Sequence, residues 1–170
     1  MASPTNNGTI IQDKLAHITE ECHSSLKRSQ LLENDILFSI AGALGRITIV
    51  KKDILPANTN QALAILRLSN VNYSLPSYIG YCLKSQHIFD QINKFKAGVA
   101  QLNLSLEQMR ELQIPLPPPF KQQGIVYQLD ALSAETKKLK ANYQKKLADM
   151  DEMKKSILQK AFSGELTEVQ

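Results

Sequence analysis

The sequence predicts an α/β (α+β) globule followed by a long C-terminal coiled-coil helix. Three observations carry that expectation. Apolar and β-branched runs flank two glycines within residues 35–50, the pattern of paired strands. From about Phe120 to Ala161 there is no proline, and the only glycine, Gly124, falls in the first turn. Between these regions, four of the seven prolines crowd into residues 115–119. They hold the backbone near polyproline II and bar a helix before Phe120.

The chain has 170 residues, of which 43% are apolar. That suits one small domain plus an extended element. The net charge is +4, with basic and acidic residues spread over both halves. Such a balance permits contact with nucleic acid without demanding it. Cys22 and Cys82 are too few and too far apart for a disulfide framework or a zinc site. No apolar run approaches the ~20 residues of a membrane span. The start, MASPTNNGTI, lacks the regions of a signal peptide. The expectation is a soluble, reduced, cytoplasmic protein that makes no membrane contact.

The elements follow in order. Residues 10–34 read as surface turns or a short helix. Ile36–Ile40 and Ile47–Val50 read as strands, with Gly42 and Gly45 shaping the connection. That connection is either an ordinary hairpin or a ligand-facing loop. It is no phosphate loop, because no Gly-Lys-Ser/Thr follows. Residues 51–61 form a loop, and Ala62–Leu68 a further strand broken by Arg67. Residues 76–96 suit a single helix begun by Pro76, with Ile79, Cys82, Leu83, Phe89, Ile92 and Phe95 on one stripe. Cys82 reads as a small core hydrophobe, and His87 falls off the stripe with no paired ligand. Ser105 and Gln108 form a capping-box pattern for a short helix that ends before Ile114.

The C-terminal segment has its own periodicity. Leu129, Leu132, Thr136, Leu139, Tyr143, Lys146, Met150, Met153, Ile157 and Lys160 alternate by threes and fours. Leu147, Leu158 and Ala161 restore apolar positions on an eleven-residue repeat, which winds little. A helix of about 40 residues would be on the order of 60 Å long. Its stripe outruns any small globule and calls for a partner of comparable length.

The segments DILFSIAGALGR, TNQALAIL, YIGYCLKS, GVAQLNLSLEQMRELQIPLPPP and LQKAFSGELTE occur in this order. Together they resemble the specificity (S) subunit of type I restriction–modification enzymes, over roughly residues 17–168. The ordered set is specific, above all LxxIPLPPP, the long helix and the terminal AFSGEL. The resemblance implies a target recognition globule that reads half of a split DNA site, joined to a long spacer helix. A full subunit has two of each, with the helices packed antiparallel. This chain therefore resembles a half subunit that opens partway through the family's globule. The implied division is a partial recognition domain over 1–114, a proline-rich joint over 115–120, a dimerisation and spacer helix over 121–163, and a tail over 164–170. The implied partners are double-stranded DNA, a second copy of the chain, and methyltransferase (M) subunits with restriction (R) subunits beside them. No cofactor is implied. Where the family commonly shows Glu-Gln in the first helical turn, this chain has Gln122-Gln123. A Glu there would favour the helix N-terminus by a few tenths of a kcal/mol.

No catalytic motif is present: no Asn-Pro-Pro-aromatic, no Gly-x-Gly-x-x-Gly, and no nuclease carboxylate pair followed by Lys. Glu20-Glu21 reads as surface charge. DNA contact needs cations for phosphates and amides or guanidinium groups for base edges. The candidate phosphate contacts are Arg46, Lys51, Lys52, Lys94 and Lys96. The candidate base readers are Asn58, Asn60, Gln61, Gln101 and Asn103. Loops 51–61 and 94–103 carry both kinds. The lysines of 137–146 read as solvated flank. The dimerisation candidates are Leu129, Leu132, Leu139, Tyr143, Leu147, Met150, Ile157 and Leu158. Two functions follow: a homodimeric specificity subunit that positions M subunits on a split site, or an S-like interaction protein that dimerises and docks M subunits without specific reading.

Overall fold

The structure, a computed structural model, describes residues 10, 15–71, 73–95 and 103–165. The chain forms two units, Met1–Val126 and Tyr127–Gln170. The first is built on a three-stranded antiparallel sheet of order β2-β1-β3, from β1 (Ile36–Ser39), β2 (Ile47–Ile49) and β3 (Leu63–Leu66). Every residue of β1 is buried, as its unbroken apolar run requires of a central strand. Alternate side chains point to opposite faces. Ile36 and Phe38 join one cluster with Ile47, Tyr78, Ile79, Leu83, Ile88, Ile92 and Leu104. Leu37 joins a smaller one with Leu31, Val50 and Leu63 on the other face.

The connection from β1 to β2 is a hairpin that packs against the globule. Gly42 and Gly45 both take positive φ, at 70° and 84°. Gly45 has a second reason to lack a side chain. A Cβ there would lie 2.6 Å from the end of the Phe89 ring.

Among the described residues, four α-helices and the root of a fifth accompany the sheet in the first unit. In α1 (Glu20–Ser25), the Thr19 hydroxyl accepts the Cys22 N–H. In α4 (Leu106–Glu111), Ser105 and Gln108 form the full capping box. The single helix expected over 76–96 is instead two, α2 (Pro76–Leu83) and α3 (Gln86–Lys94). The spacing of the buried residues explains the break. Ile79 to Leu83 and Ile88 to Ile92 are each four apart, but Leu83 to Ile88 is five. In a straight helix that step would turn Ile88 about 140° away from Leu83. Breaking at Lys84–Ser85 lets all four side chains face one core. Cys82 is half-buried against that core, and His87 is exposed.

The last element, α5, spans Pro119–Phe162, 44 residues and roughly 65 Å. It begins one residue earlier than the proline rule suggested. Pro119 itself occupies the first turn, where a missing N–H costs nothing. Its first two turns belong to the first unit and the remainder forms the second. Among the described residues, no helix is long and apolar enough to cross a membrane.

Candidate functional site

Strand register decides which candidate residues share a surface. Ser39, at the end of β1, lies opposite Leu63, at the start of β3, while Phe38 lies opposite Ile47, at the start of β2. The Ser39 N–H donates to the Arg46 carbonyl at 2.8 Å. The Ile40 N–H donates to the Ala62 carbonyl, and the Leu104 N–H to the Ile40 carbonyl, both at 2.9 Å. One end of the sheet thus gathers Arg46, Asn60, Gln61 and Asn103. Gln61 and Asn103 are exposed, and Arg46 and Asn60 are half-buried. Asn60 Oδ1 accepts the Ala62 N–H at 3.1 Å, which fixes the loop as it enters β3. A guanidinium and three amides carried at one sheet end are the donors and acceptors that phosphate oxygens and base edges require.

Lys51 and Lys52 are not part of that group. The Val50 N–H donates to the Asp35 carbonyl at 2.8 Å, so both lysines follow β2 at the opposite end of the sheet. Lys51 lies five extended residue steps beyond Arg46, roughly 16 Å along the chain. Loop 51–61 carries both cations and amides, as expected, but it runs from one end of the sheet to the other and holds them apart. Lys94 is exposed on the last residue of α3. Lys96 and Gln101 lie outside the described residues.

Asn58 is buried, and its side chain is spent inside the globule. Its Nδ2 donates to the Leu26 carbonyl and to Ser29 Oγ, and its Oδ1 accepts from His23 Nδ1. Its backbone bridges Gln30. The residue types favoured for base reading are also those that tie loops together, and burial distinguishes the two uses.

Three polar groups to which residue patterns gave no such role prove central to the globule. Asp35, 1% exposed, accepts Arg67 Nε on one oxygen and Nη2 on the other, each at 2.7 Å, and also the Leu32 N–H. The hydrogen bond to Asp35 holds the Arg67 guanidinium above its ordinary pKa. Tyr78 donates its hydroxyl to the Pro115 carbonyl at 2.9 Å, and burial pushes its pKa up to about 12. Gln122 is fully buried in the first turn of α5. Its side-chain amide is hydrogen-bonded to the backbone of Tyr73, Leu75 and Pro117, whereas the sequence suggested only a lost helix-terminus charge. Gln123 is exposed.

In the second unit, Leu132, Leu139, Tyr143, Leu147, Met150, Ile157 and Leu158 are all exposed, and Leu129 is half-buried. They share the helix with many charged residues and with further exposed apolar side chains, among them Tyr127 and Met153. An exposed apolar row of this length is a candidate interaction surface. Among the described residues no cluster of His, Cys, Asp or Glu could hold a metal ion.

A model of the type I restriction modification DNA specificity domain matches residues 3–148. The chain is 34% identical over 163 residues to the specificity subunit of the type I restriction enzyme EcoBI of Escherichia coli, covering 95% of this chain and 34% of that one. It is 28% identical over 152 residues to the EcoKI specificity subunit of the same species, covering 86% and 33%. The chain thus spans about one third of the length of these curated relatives. Among solved structures, a chain of a type I R-M system superposes with a TM-score of 0.64 at 22% identity, over 79% of this chain and 32% of that one. The HsdS subunit of Thermoanaerobacter tengcongensis gives 0.57 at 20%, over 65% and 28%. These two likenesses are of fold.

Proposed function

The chain belongs to the type I restriction modification DNA specificity family, and from that membership we propose that it is a non-catalytic DNA sequence-recognition subunit acting as a homodimeric half subunit. Two copies pair through antiparallel α5 helices, so one gene product supplies two recognition globules. A two-fold pair of globules reads a palindromic split site. Residues 1–114 read DNA, 115–120 form the joint, 121–163 set the spacing, and 164–170 form a tail. M subunits dock on this frame, with R subunits beside them, in the cytoplasm. The observation that carries the reading is the exposed apolar row of α5, which needs a partner as long as itself. Arg46, Asn60, Gln61 and Asn103 are the contacts this reading favours, with Lys94 and the Lys51–Lys52 pair as outlying phosphate contacts.

Light scattering on the chain and on Leu139→Asp tests the pairing. The chain should weigh twice its monomer mass and the variant should fall to a monomer. Monomers in both cases at micromolar concentration would refute the dimer.

A second reading is an interaction protein that dimerises and docks M subunits without reading sequence. The separation of Lys51 and Lys52 from the amides, and the burial of Asn58, favour it. Gel-shift titration at several salt concentrations divides the two. Weak, purely salt-dependent binding of any duplex supports the second.

A further inference from the structure

Gln122 is the one buried residue of the 44 in α5. Its side chain uses both donors and an acceptor. The Leu75 N–H donates to Oε1 at 3.0 Å, and Nε2 donates to the carbonyls of Tyr73 at 3.0 Å and Pro117 at 2.7 Å. One amide therefore ties the helix root to the loop before α2 and to the proline stretch. That stretch is held at two further points. The Tyr78 hydroxyl donates to the Pro115 carbonyl at 2.9 Å. Gln91 of α3 brackets Gln113, accepting its N–H at 2.8 Å and donating to its carbonyl at 3.0 Å. Prolines offer no N–H, so carbonyls are what this stretch can contribute; those of residues 113 and 115 receive side-chain donors from the globule, and that of 117 receives the Gln122 amide.

We infer that Gln122 is a positioning residue that locks the root of α5 onto the recognition globule through Tyr73 and Leu75, and onto the proline joint through Pro117. The inference rests on the spacing role proposed for α5. A buried amide with no alternative partners resists displacement, because each bond lost leaves a desolvated group behind. Proline stiffness alone restrains the stretch along its own axis. The Gln122 bonds restrain its attachment to the globule.

The test is the width of a distance distribution, read by pulsed dipolar spectroscopy between spin labels at His87→Cys and Lys140→Cys. Cys22→Ser and Cys82→Ala remove the native thiols, and excess unlabelled chain leaves only intrachain pairs visible. The parent should give a narrow distribution. Gln122→Leu, measured where circular dichroism shows both chains folded, should broaden it at least about twofold, as loss of a supporting shell does. A merely structural role would lower the melting temperature and leave the width unchanged. If Gln122→Leu does not fold, Gln122→Glu is read the same way; it keeps the acceptor for Leu75 and loses both donors. Equal widths in parent and variant, a broad parent distribution, or equal broadening by the exposed control Gln123→Leu would overturn the inference. No DNA enters the measurement, so a failure of DNA recognition and a failure of the latch are separate results.

Discussion

Asp35 and Arg67 sit 32 residues apart and meet through two bonds of 2.7 Å. The carboxylate is 1% exposed while the Arg67 side chain is 49% exposed, so solvent screens only one partner. Removing Arg67 would strand a buried charge that still holds the Leu32 N–H. Arg67→Met should therefore cost about 2 kcal/mol, below the range for fully buried pairs. Denaturant titration gives the value; a cost below ~0.5 kcal/mol would make the pair an ordinary surface contact. Tyr78 makes a different prediction. Its folded pKa, about 12, lies above the ordinary 10. The unfolded chain then loses its phenolic proton first as pH rises. The stability due to this group is whole below pH 10 and is lost as pH rises towards 12. Tyr78→Phe should flatten that part of the stability–pH curve relative to the parent. A parallel curve would contradict it. Neither group was legible in the sequence. Arg67 read only as a break in a strand, because nothing in a linear pattern points to a carboxylate on the neighbouring strand's approach.

At the scale of elements the sequence was far more informative. The hairpin, β3, the capping box of α4 and the extent of α5 all followed from period, glycine, proline and cap chemistry. The break between α2 and α3 was present in the sequence as a five-residue step, but the stripe drawn through Phe89 hid it. Phe89 instead points its ring at Gly45. The proline stretch invites a test of its own. Glycines at Pro117, Pro118 and Pro119 would keep the carbonyl at 117 that Gln122 uses. They would also free the backbone that proline restrains. The triple replacement should loosen the preferred spacing between half-sites more than it lowers the melting temperature. An unchanged spacing preference would remove the ruler role from this stretch.

For the whole molecule, candidate contacts that are neighbours in sequence are divided by the sheet. Lys51 and Asn60 share a loop, yet strand register sends them to opposite ends, while Arg46 and Asn103, far apart in the chain, meet at one. Long-range pairing of this kind is set by topology and leaves no local trace, which is why the grouping of the candidate contacts was only half legible. The exposed row of α5, by contrast, was written plainly in the spacing of its residues. On the proposed function, two such chains read a split DNA sequence. Selection from a random duplex pool, repeated at several salt concentrations, tests it most directly. Enrichment of a palindromic motif in two halves at a fixed separation is expected, weakened when Arg46 or Gln61 is changed to Ala. Recovery of no motif, with binding that simply fades as salt rises, would contradict it.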